Sequence, residues 1–121
     1  MKALVVAQRE DLKERASYHL RPLGVEVLYY SDPVQVIDAI TDLKPDLVVY
    51  NGVDFPRHWK PTLRLLRSHQ SKEQCVFILL ADSPPFEEAA KASHLGINGL
   101  VDASLDEKQQ MQRLEGLLRR Y

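Results

Sequence analysis

The side chains able to do chemistry are few, and the most informative stands at residue 51. Leu47-Val48-Val49-Tyr50 is an apolar run with no polar alternation, the pattern of a strand buried on both faces. Pro45 and Asp46 lead into it, and Asn51-Gly52 opens a loop where it ends. In an open parallel sheet the carboxyl ends of the strands hold the chemistry, so Asn51 stands where a reactive group is expected. An amide is no nucleophile. Its ordinary work there is to hydrogen-bond the backbone of its own loop.

Other candidates lie in loops or helix starts. Glu10, Asp11, Asp54, Asp82 and Asp102 are the acids from which a metal site would have to be assembled, and hard cations need several convergent oxygens. The favoured reading is polar loops, with Asp11 as a helix cap. His19, His58, His69 and His94 show no metal-ligand spacing and are expected at the surface, and no metal or cofactor is expected. Cys75 is the only cysteine, which excludes an internal disulfide and fits a reducing compartment; it reads as an inert buried thiol. The densest run of positive charge is Arg57, Lys60, Arg64 and Arg67, with Trp59 among them. Such a patch suits phosphate or an acidic partner, but a solvated helix face is the commoner meaning. No Gly-rich phosphate loop, GxSxG or metalloprotease motif is present, and the chain is not expected to be an enzyme.

Composition narrows the class. A chain of 121 residues, 45% hydrophobic and 27% charged, suits one globular domain spanning 1–121. A net charge of −1 supplies no global field toward nucleic acid, and direct nucleic-acid binding is not expected. No apolar stretch reaches membrane-spanning length and no signal peptide is apparent, so a cytoplasmic protein is expected.

The elements follow from periodicity. Ala3 to Val6 predicts a first strand. Leu12, Ala16, Leu20 and Leu23 predict one face of a helix stopped by Gly24, with Pro22 in its last turn. Val25 to Tyr29 is a second strand. Ser31-Asp32-Pro33 starts a second helix whose buried stripe is Val34, Ile37, Ile40 and Leu43. After the strand ending near Asn51, Trp59, Leu63 and Leu66 mark a third helix to about His69. Val76 to Leu80 is a fourth strand. Ser83-Pro84 begins a fourth helix with Phe86, Ala89, Ala90 and Ser93 inward, ended by Gly96. Gly99 to Val101 is a fifth strand. Ser104 to Glu107 matches a capping box for a last helix with Met111, Leu114, Leu117 and Leu118 inward. Strands alternating with helices predict an α/β fold around a parallel sheet.

In that order the chain resembles the receiver domain of bacterial two-component response regulators. The likeness is carried by Ala3-Leu4-Val5-Val6, Leu23-Gly24-Val25-Glu26-Val27, Pro45-Asp46-Leu47-Val48-Val49-Tyr50 and Leu95-Gly96-Ile97-Asn98-Gly99-Leu100-Val101, over about 115 residues. It implies a flavodoxin-like (βα)5 doubly wound parallel sheet with strand order 2-1-3-4-5. It also implies a pocket of an acid pair, an aspartate phosphoacceptor, a hydroxyl and a lysine around Mg²⁺. Those positions fall here on Ala7 and Gln8, Asn51, Leu80 (Ala81 if the register slips) and Ala103, and the aromatic switch position falls on Leu100. With every group replaced, the likeness is to a degenerate pseudo-receiver acting in signal transduction or transcriptional regulation without phosphorylation. By the same analogy it contacts a protein partner or output domain, or forms a homodimer, through the face of helix 4, strand 5 and helix 5, here Glu88, Lys91, Leu100, Asp102 and Arg113. The alternative is a sensor holding a nucleotide or metabolite in the altered pocket.

Overall fold

The computed structural model describes residues 1–82 and 96–119. Five parallel strands, β1 (Lys2–Val6), β2 (Glu26–Tyr30), β3 (Leu47–Asn51), β4 (Val76–Ala81) and β5 (Gly99–Asp102), form one sheet in the order β2-β1-β3-β4-β5. This is the flavodoxin-like arrangement expected from the alternation of elements. Around it lie α1 (Asp11–Leu20), α2 (Pro33–Leu43), α3 (Trp59–His69) and α4 (Glu107–Leu118), the last corresponding to the final helix of the sequence pattern. The expected helix after Ser83, with Glu88 and Lys91, lies outside the described residues.

The absence of alternation in the inner strands has a simple cause: both faces are covered. Ala3, Val5, Leu47, Val49, Val76 and Ile78 pack under α1 and α4 with Leu12, Ala16, Leu20, Leu114 and Leu118. Leu4, Val6, Val48, Tyr50, Phe77 and Leu79 pack under α2 and α3 with Val36, Ile40, Trp59, Leu63 and Leu66. The strand entry is also tied. Asp46 Oδ2 accepts from the Lys2 amide at 2.8 Å, and the Gln70 side-chain amide donates to Pro45 O at 3.0 Å.

Several local expectations are corrected. The helix ends at Leu20, and Pro22 sits in a 3-10 turn, Arg21–Leu23, which swings Leu23 out to 71% exposure. Gly24 closes that turn at φ 78°, a conformation suited to glycine. Asp32 caps α2 as expected, its carboxylate accepting from Val34 N at 2.9 Å, but Val36 rather than Val34 joins Ile40 inside. Asp11 is the first residue of α1 rather than its cap. Ser104 is not the cap of α4. Asp102 Oδ1 accepts from both the amide and the hydroxyl of Ser104, and Asp106 caps α4 by accepting from Gln109 N at 2.8 Å.

Two protons are sealed in the sheet. Burial pushes the Cys75 thiol up to about 12 from 9.0 and the Tyr50 phenol up to about 12 from 10.0. The Thr62 hydroxyl donates to His58 O, and Tyr50 Oη has no hydrogen-bond partner. Both groups keep their protons in the folded chain where the unfolded chain releases them. Their contribution is therefore complete below the unfolded values and is lost as pH rises toward the folded ones. Urea unfolding at increasing alkaline pH should show stability falling by about 1.4 kcal/mol per pH unit for each titrating group. Tyr50→Phe should remove the upper part of that fall without breaking a hydrogen bond.

Candidate functional site at the carboxyl edge of the sheet

The ends of β1 and β3, with the loops that follow them, form the floor of this edge. Ala7 succeeds β1 and its carbonyl accepts from the Tyr29 hydroxyl at 2.9 Å. Asn51 is the last residue of β3, half-buried, paired across the sheet with Leu80. Its side-chain Oδ1 accepts from the amides of Val53 at 3.0 Å and Asp54 at 3.1 Å, folding the loop back over the strand end. Gly52 N then donates to Leu80 O at 2.7 Å, and Asp54 Oδ2 accepts from the Gln8 amide at 2.8 Å. The loops after β1 and β3 and the end of β4 are thereby joined by hydrogen bonds within the chain.

A cleft of about 290 Å³ opens beside this floor. Ala7, Gln8, Asn51 and Leu80 line it together, so the topology brings four of the five expected pocket positions to one place. Ala103 lies behind: its carbonyl accepts from the Gln110 side-chain amide at 3.0 Å, and Gln110 reaches the cleft. Sequence patterns missed Arg15 and Gln110, which also line it. Each sits about one turn into a helix whose start faces the carboxyl edge, and that placement was the available clue.

The donors do not fit Mg²⁺. Ala7 and Gln8 supply no anionic oxygen, Asn51 presents its oxygen to its own loop, and one oxygen of Asp54 is held by Gln8 N. Among the described residues no group of three or more His, Cys, Asp or Glu side chains converges. Acids are nevertheless near: the Tyr29 phenol is raised by burial first, then by the carboxylates of Glu10, Asp54 and Asp11.

The remaining predicted residues disperse. Arg57 and Arg64 are exposed, and Lys60 Nζ stands 5.2 Å from the Trp59 ring centroid. Arg67 is turned away from that group. It donates from Nε to Gly96 O at 2.9 Å, from Nη2 to Asn98 Oδ1 at 2.8 Å and from Nη1 to Ser71 O at 3.0 Å. At the other edge Leu100 is half-buried, and Asp102 is held below the usual carboxylate range by the Ser104 hydroxyl and amide, with help from Arg113.

A family model described as "N-terminal domain", TP_0454_N, matches residues 1–97. The chain belongs to that family. A protein of Treponema pallidum (strain Nichols), described as uncharacterized, is 29% identical over 119 residues. The match takes in 98% of this chain and 52% of the relative, so the chain spans about half that relative's length. Solved structures similar to this family member include response regulators and a receiver domain. A two-component response regulator from Clostridium difficile has a TM-score of 0.72 at 15% identity, with 99% of this chain and 97% of that one covered. A putative response regulator from Chloroflexus aurantiacus has a TM-score of 0.69 at 16% identity, with 98% of both chains covered. The receiver domain of a Pseudomonas aeruginosa sensor histidine kinase, solved with magnesium in its active-site cleft, has a TM-score of 0.69 at 16% identity, covering 99% of this chain and 95% of that one. At these identities the likeness is one of fold. Among the described residues no helix is long and apolar enough to cross a membrane.

Proposed function

We propose that this domain is a degenerate receiver that serves signalling or gene regulation by protein–protein contact, without phosphorylation and without catalysis. The observation that carries the reading is the side chain of Asn51. It occupies the end of β3, where a receiver presents its phosphoacceptor, and its oxygen accepts two amides of its own loop. An amide oxygen so placed neither attacks phosphorus nor gains charge. In a working receiver the loop answers to a phosphoryl group held by metal and lysine. Here the loop is held by Asn51 and by the Asp54 to Gln8 hydrogen bond. A fold that keeps its core and sheet order while its reactive edge is tied to itself is suited to presenting surfaces. The family's description as an N-terminal domain, and a relative about twice as long, support a module that works joined to something else.

Incubation with acetyl phosphate and Mg²⁺ tests this. The intact mass should show no phosphoryl adduct, and one acid-stable, hydroxylamine-labile acyl phosphate per chain would overturn the reading.

A further inference from the structure

On the side of the sheet covered by α2 and α3, charge is sorted by helix. α2 carries Asp38 and Asp42 and no basic residue, while α3 carries Lys60, Arg64 and Arg67 and no acid. Asp38, Asp42 and Arg64 are exposed, and none of them forms an ion pair with another described residue. Apolar groups accompany them. Val34, 55% exposed, stands one turn before Asp38, and the exposed Pro61 stands three residues before Arg64. Ile37 and Leu65, both half-buried, add apolar surface to the same two helices.

We infer that this face joins two copies of the chain in a weak, symmetric dimer. α2 and α3 both lead back from the carboxyl edge, so they run the same way, and they pack against each other. A two-fold axis parallel to both and lying between them sets α2 of each copy over α3 of the other. Asp38 and Arg64 are each the sixth residue of their helix, so that axis brings Asp38 of each copy to Arg64 of the other, and Val34 to Pro61. Charge complementarity selects this occupant. A partner of one sign would satisfy one helix and repel the other, whereas a second copy offers both signs in the required order. Helices of 11 residues make the face about 16 Å long, at the small, transient end of interface sizes. It is a different face from that of Leu100, Asp102 and Arg113. The inference rests on the contact-based reading, for which it names a partner. Its failure is read from mass in solution and that of the reading from an acyl phosphate, so the two failures can be told apart.

Sedimentation equilibrium of the chain at low salt, from about 10 to about 500 µM, tests the dimer. The average mass should rise with concentration toward that of two chains, and less so in about 0.5 M salt. Asp38→Arg and Arg64→Asp should each weaken dimerisation about tenfold, because each turns two attractions into two repulsions. Both positions are exposed, so the thermal midpoint of either variant should move by only about 2 °C. Mixed in equal amounts, the two variants should dimerise with each other as well as the unaltered chain does with itself, since each supplies the charge that the other lacks. A single-chain mass at every concentration overturns the proposal. A dimer that neither substitution weakens belongs to another face and overturns it equally, as does weakening that mixing fails to reverse.

Discussion

Arg67→Ala should lower the stability of this chain by about 3 kcal/mol, more than any other single surface-reaching substitution outside the core. The guanidinium is half-buried near the end of α3 and joins the turn that follows that helix to the distant segment entering β5. Nε donates to Gly96 O, Nη2 to Asn98 Oδ1, and Nη1 to Ser71 O and, at 3.4 Å, to Gln70 O. Asn98 extends the joint: its Oδ1 also accepts from Phe77 N at 2.9 Å and its Nδ2 donates to Lys72 O at 3.1 Å. Hydrogen bonds from a charged donor contribute about 1.5–3 kcal/mol each, and the loss is limited because water reaches the Ser71 side. Arg67→Lys should recover little, since an ammonium cannot span acceptors laid out for a planar fork. Thermal unfolding is the check, with a fall of about 10 °C expected for Arg67→Ala. Asn98→Ala combined with it should cost less than the sum, because the two share acceptors and donors. Gly96 belongs to the same joint, at φ 93° with a Cβ position only 2.8 Å from Arg67 Nε.

The second large effect is expected at Gly52. A Cβ there would lie 2.8 Å from Leu79 Cδ1, 2.8 Å from Leu80 O and 3.3 Å from Trp59 Cδ1. The leucine methyl can move, but Leu80 O is backbone and accepts from Gly52 N at 2.7 Å. Relief requires the loop to lift from β4, which breaks that bond and draws Asn51 away from the Val53 and Asp54 amides. Gly52→Ala should cost about 2–3 kcal/mol, as overpacking at a rigid contact does. In the amide spectrum of the variant, Val53, Asp54 and Gln8 should move together. A neutral substitution with an unchanged spectrum would mean that the loop is not held as described.

The sheet was legible in the sequence because burial on both faces leaves long apolar runs, and Leu47–Tyr50 and Val76–Leu80 admit no other reading in a chain of this pattern. Helix phase was less so. Val34, Val36, Ile37 and Ile40 allow two stripes, one through Val34 and one through Val36, and only contact with β1 and β3 selects the second. Leu23 fell to a local cause, the tightening of the chain at Pro22. Ser104 and Asp106 both carry capping chemistry at suitable spacing, and the choice depended on β5 running to Asp102, whose carboxylate takes the Ser104 donors.

At the carboxyl edge, the sequence showed which residues stand at the strand ends, and four of them, Ala7, Gln8, Asn51 and Leu80, line one cleft. It did not show what folding sets beside them. Asp54 looked like one loop acid among several until folding set it against the Gln8 amide, 46 residues away. Arg67 shows the same limit: its spacing from Lys60 and Arg64 suggested one basic face, while its acceptors at Gly96 and Asn98 lie 29 and 31 residues further on.

The claim that the β3 end is closed to phosphoryl chemistry is tested most directly by the amide spectrum during titration with Mg²⁺ and beryllofluoride. The account predicts that Gln8, Val53 and Asp54 stay in place through the titration, and that they stay in place in Asn51→Asp as well, since the acid pair for the metal is still lacking. Saturable shifts of those three amides in the unaltered chain would contradict it.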